Sequence, residues 1–141
     1  MADKNSQPLA YASFTISGDL VLPEFWTGYF DVVPDIAHRK GDPIVDPTGQ
    51  GRNIGRRTGV WGVRSKSAIH NDLLEPHLRH LIRQLGLPRG DLLELTTQTA
   101  AHMRFFCYWD NESGTRIPDI PDDIRAMMES MGGTIEIDEY R

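Results

Sequence analysis

Cysteine is almost missing from this chain of 141 residues: Cys107 stands alone, so no internal disulfide can form and no cysteine cluster can hold zinc. That usage fits a reducing compartment, and a cytoplasmic location is expected. Long apolar runs are missing too. No stretch approaches the roughly 18 residues a membrane span needs, and the opening MADKNSQPLA lacks the apolar segment of a secretion signal; no membrane partner is expected. There are no internal repeats, no low-complexity tracts, no phosphate-loop pattern and no H-E-x-x-H pair. The last absence is local. From residue 47 to residue 71 there is no acidic side chain, while Arg52, Arg56, Arg57, Arg64 and Lys66 fall there. The net charge of -5 is therefore segregated, with 10 cations against 20 carboxylates in the remainder.

What is present reads as one folded domain over residues 1–141, with a flexible segment at 1–9 and a Gly/Arg-rich loop at 43–58. Hydrophobic residues at 39% and charged residues at 25% are globular values. YASFTIS (11–17) alternates, with Ala12, Phe14 and Ile16 on one face, as a half-buried strand does. Pro23 suits a first helical turn, and Phe25, Trp26, Tyr29 and Phe30 follow at helical spacing until Pro34. Residues 34–59 are rich in Pro and Gly and read as loop or a loose hairpin. GVWGVRSKS (59–67) predicts a strand with Trp61 and Val63 inward.

Asp72 and Glu75 then offer a capping box to a helix whose Leu74, Leu78, Leu81, Ile82 and Leu85 make one apolar stripe before Gly86 and Pro88. DLLELTTQT (91–99) is either a short helix or an extended lead-in, the helix preferred. AHMRFFCYWD (101–110) is the strongest strand, Met103, Phe105, Cys107 and Trp109 facing one way. A further helix follows Pro121 with Ile120, Ile124, Met127, Met128 and Met131 on its stripe, and TIEIDEY closes as a strand. Alternating strands separated by long helices predict an α+β fold: a mainly antiparallel sheet of four to five strands with about three helices on one face.

The segments ISGD, LP at 22–23, PD at 34–35, RKGD at 39–42, Trp61, the leucine-rich helix, CYW at 107–109 and IEIDEY occur in one order along nearly the whole chain. In these segments and their spacing the sequence resembles a bacterial family known as domain of unknown function 4279. The resemblance implies a small, mostly bacterial, stand-alone domain, and it carries over no catalytic residue. Residues 46–58 are a longer Gly/Arg-rich insertion than the family pattern has.

Three sets of candidate residues follow. If the strands share one sheet, Tyr11, Arg64, His102, Arg104, Phe106, Tyr108 and Tyr140 line its uncovered side, with Ser13, Thr15, Lys66, Glu136 and Asp138 among them. An aromatic patch rimmed by charge is interaction surface, so a non-enzymatic, immunity-like or regulatory module holding another protein or a second copy is the preferred expectation. The basic set, Arg39, Lys40, Asp42, Arg52, Arg56, Arg57 and Lys66, is the alternative, for nucleic acid or a phosphorylated ligand. An enzyme using His38, Asp42, Arg64 and His102 in acid-base chemistry is the second alternative. HRKGDP (38–43) is explained as a turn, with Asp42 bonding its own backbone. Cys107, between Phe105 and Trp109, is expected in the core and inert. His77 and His80 share a helix at a spacing too weak to define a metal site; no metal and no cofactor are expected.

Overall fold

The computed structural model describes residues 8–44 and 55–141. Its elements run β1 (Ala10–Gly18), α1 (Pro23–Phe30), β2 (Ile36–His38), β3 (Gly59–Arg64), α2 (Leu74–Leu85), α3 (Leu92–Gln98), β4 (His102–Asp110), α4 (Asp122–Ser130) and β5 (Thr134–Tyr140). The strands form one sheet in the order β2-β3-β1-β4-β5. The expected flexible segment 1–9 and the loop 43–58 fall largely outside the described residues.

The α+β expectation holds, with two corrections. The five-stranded sheet is mainly antiparallel but mixed, because β5 runs parallel to β4 while the other three pairings are antiparallel. Residue alternation looks alike in both kinds of ladder, and α4 supplies the crossover that a parallel neighbour requires. Among the described residues there are four helices rather than about three, one of them at 92–98, where a short helix was the preferred reading. Residues 36–38, within the segment expected to be loop or a loose hairpin, form β2 antiparallel to β3; three residues are too few to display a period. It fits against β3 where Gly62 has no side chain, since a Cβ there would meet Ile36 Cγ2 of β2 at 3.0 Å and the Phe14 carbonyl oxygen of β1 at 2.8 Å.

One face of the sheet packs into the core. Phe14, Ile16, Trp61, Val63, Met103, Phe105, Cys107 and Trp109 are at most 1% exposed. They meet Trp26 and Phe30 of α1, the leucines of α2, Leu92 of α3, and Ile124 and Met128 of α4. All four helices therefore lie on this side, as apolar stripes require. The cap of α2 differs from the expected Asp72–Glu75 box: no side chain at its N-cap bonds the first turn. Instead Asp119 accepts from the Leu74 N–H at 2.7 Å and the Glu75 N–H at 2.9 Å, so a loop 45 residues away in sequence supplies the carboxylate that satisfies these donors.

Candidate functional site

The opposite face carries no described helix or strand over it. Strand register lays its side chains in transverse rows. In one row Arg64 of β3, Ser13 of β1, Phe106 of β4 and Glu136 of β5 are successive partners. In the next, Tyr11, Tyr108 and Asp138 are partners, and Lys66 extends the row from beyond β3 with its Nζ 5.0 Å from the centre of the Tyr11 ring. Tyr140 lies opposite Asp110 one row further. Tyr11, Arg64, His102, Arg104, Phe106, Tyr108 and Tyr140 are thus on one face, where alternation placed them.

The rings do not lie flat. Tyr11 and Tyr108 stack with centroids 4.6 Å apart and planes within 6°, and Tyr140 follows at 5.0 Å with a 31° tilt. Lys66 closes the Tyr11 end of this column, so both faces of Tyr11 and of Tyr108 are occupied by neighbours. The Arg104 guanidinium covers Phe106 at 4.8 Å and donates to Glu136 at 2.6 Å, while His102 stands 3.7 Å from the other Glu136 oxygen. Burial first, then the Asp110 charge, raises the Tyr108 phenol above its ordinary pKa. The hydrogen bond donated to Asp138 at 2.6 Å does the same for Tyr140. Both phenols remain protonated donors at neutral pH. The surface therefore presents phenol edges, a guanidinium and carboxylates.

The basic set is dispersed. Arg39 pairs with Glu24 and Lys40 with Asp19 at 3.2 Å, and Lys66 belongs to the tyrosine column. HRKGDP is a turn: the Arg39 N–H donates to Asp42 Oδ2 at 2.7 Å, the Asp42 N–H to the Arg39 carbonyl at 3.1 Å, and Gly41 takes a φ of 90°. Arg56 joins that turn through its backbone, to Gly41 and Asp42. Arg57 is exposed two residues before β3, and Arg52 lies outside the described residues.

The acid-base set does not converge. His38 and His102 share a face and a row, through Val60 and Ser17, but three strand spacings, about 14 Å, separate their backbones. Asp42 is engaged in its turn. Among the described residues no group of three His, Cys, Asp or Glu side chains could hold a metal ion.

Helical and strand periodicity give no sign of a buried Ser65–His77 pair. Ser65 is 0% and His77 1% exposed; His77 flanks the stripe on a helical wheel, yet α2 turns it wholly into the core. His77 Nε2 faces the Asn71 carbonyl at 2.8 Å and must carry the proton, so Nδ1 accepts from the Ser65 hydroxyl at 2.7 Å. Ser65 Oγ in turn accepts the Ala12 N–H at 2.9 Å. The pair has the chemistry of a nucleophile and its base, but neither atom meets solvent, and its partners make it a lock between β1, the end of β3 and α2. Burial lowers the His77 pKa. Cys107 occupies the core as expected, its thiol pushed up to about 12 by burial.

A family model described as "Domain of unknown function (DUF4279)" matches residues 8–141. The chain belongs to that family. The match includes both rows of the open face, the Ser65–His77 lock and the 39–42 turn. No curated protein and no solved structure matches the chain. No helix among the described residues is long and apolar enough to cross a membrane.

Proposed function

We propose that this DUF4279 chain is a cytoplasmic, bacterial protein-binding module, regulatory or immunity-like in kind, that holds its partner on the open sheet face. The carrying observation is the tyrosine column. A sheet that binds bases or sugars by stacking must offer ring faces, and here the faces of Tyr11 and Tyr108 are spent on each other, on Tyr140 and on Lys66. What remains, phenol edges beside Arg104, Arg64 and carboxylates, is the chemistry of protein hot spots. Arg39 and Lys40 already neutralise carboxylates of their own chain, which weakens the case for a phosphate-bearing ligand.

Alanine at both Phe106 and Tyr108 removes the centre of the patch and leaves the helix-side core intact. The double variant is expected to keep its melting temperature within a few degrees and to lose association at least tenfold. A photo-crosslinking residue at Ser13, midway along the Arg64–Glu136 row, should form discrete protein adducts in cells, and one at Glu94 on α3 should not. Adducts from neither position, with association untouched by the double alanine, would overturn the reading.

A further inference from the structure

The two rows have a property that a surface for an arbitrary partner does not need. Each begins with a cation at the β3 side, Arg64 or Lys66, and ends with a carboxylate on β5, Glu136, which Arg104 of the same chain also holds, or Asp138, which accepts from Tyr140; each has a central pair, Ser13 and Phe106 or Tyr11 and Tyr108. The β1–β4 boundary bisects both rows. Turning the face over about a line along that boundary puts Arg64 opposite Glu136, Lys66 opposite Asp138, and Tyr11 opposite Tyr108. Turning it about a line across the strands would instead oppose cation to cation and carboxylate to carboxylate.

Resting on the protein-binding reading of this face, we infer that its partner is a second copy of this chain, docked face to face about a two-fold axis parallel to β1 and β4. Isologous contact demands that a patch complement itself, and this charge order complements itself about one axis only. The four longer strands, about 4.8 Å apart with about seven residues of about 3.3 Å each, project roughly 450 Å². Two copies cover roughly 900 Å² in projection, close to the about 1,000 Å² that a specific interface has to clear. The column supplies the tyrosines, and Arg104 over Phe106 the arginine, that such interfaces use as anchors.

Sedimentation equilibrium of the full chain, from micromolar to millimolar and at low and high salt, reads the assembly. The wild type is expected to be a dimer that weakens as salt rises. The pair Arg64→Glu with Lys66→Glu, and separately the pair Glu136→Lys with Asp138→Lys, should each be monomeric while circular dichroism and melting stay those of the wild type. Mixed in equal amounts, the two variants should form a heterodimer within about tenfold of wild-type affinity, which a general loss of structure could not produce. A wild type that dimerises regardless of both reversals overturns the inference, as does a mixture that fails to recover. A wild type that stays monomeric at millimolar concentration, while the Ser13 crosslinker captures a different protein, overturns the dimer and leaves the binding face standing; no dimer and no adduct overturn both.

Discussion

His77 shows how far one side chain departs from its reading on a helical wheel. Its imidazole is buried neutral, with Nε2–H on Asn71 and Nδ1 on Ser65, and the dominant cause of its lowered pKa is burial, which disfavours the cation. The folded pKa lies below the unfolded value of 6.5, so the unfolded chain binds more protons in the interval. The neutral imidazole's contribution is complete above about pH 6.5 and is lost as pH falls from there toward the folded pKa. Urea unfolding from pH 8 to pH 5 should show stability falling by up to about 1.4 kcal/mol per pH unit below pH 6.5, and His77→Gln should flatten that slope. An unchanged slope would remove His77 as its source. Ser65→Ala leaves His77 Nδ1 and the Ala12 N–H without their partner and should cost about 1–3 kcal/mol at neutral pH. Cys107 gives a second residue-scale expectation: with its thiol pushed up to about 12, it should resist a disulfide reagent at pH 8 in the folded protein and react at once in denaturant. Rapid labelling without denaturant would contradict the packing.

Elements were legible where many residues repeat one pattern and obscure where a single distant contact decides. Nine-residue β1 and β4 alternate along their length, so their spans, their inward residues and the outward Tyr11, Arg104, Phe106 and Tyr108 could all be read. The leucine stripe of α2 was equally plain. Its cap was not, because Asp119 arrives from the loop before α4 and nothing local marks it. Asp119→Ala is expected to cost about 1–2 kcal/mol, measured by chemical denaturation, whereas Asp72→Ala should change little. Equal costs would restore the local box. The same limit hid β2, whose three residues gain their place from the side-chain-free Gly62 beneath Ile36.

At the scale of the molecule the sheet has a centre and two edges. β1 and β4 pair on both sides, while β2 and β5 pair on one, so opening a central strand means breaking two ladders and uncovering the core. Amide hydrogen exchange should therefore be slowest at Phe14, Ile16, Phe105 and Cys107, near the global unfolding limit, and fastest in β2. Protection in β2 matching that of β1 would contradict this order. Binding on the open face should add protection there without altering the helix side, which separates a docking event from a general tightening.

The periodicity of the chain by itself determined the class of fold, the inward and outward residues of each long strand, the core position of Cys107 and the turn at HRKGDP, because these depend on neighbours a few residues away. The tertiary structure decided the direction of β5, the remote cap on α2, the Ser65–His77 lock and, above all, the order of charges along each row. Alternation assigns a residue to a face, but only the register between strands sets which residue stands beside it. Tyr11, Tyr108 and Tyr140 are far apart in sequence and become one column, with cations at one end and carboxylates at the other, only when three strands are aligned.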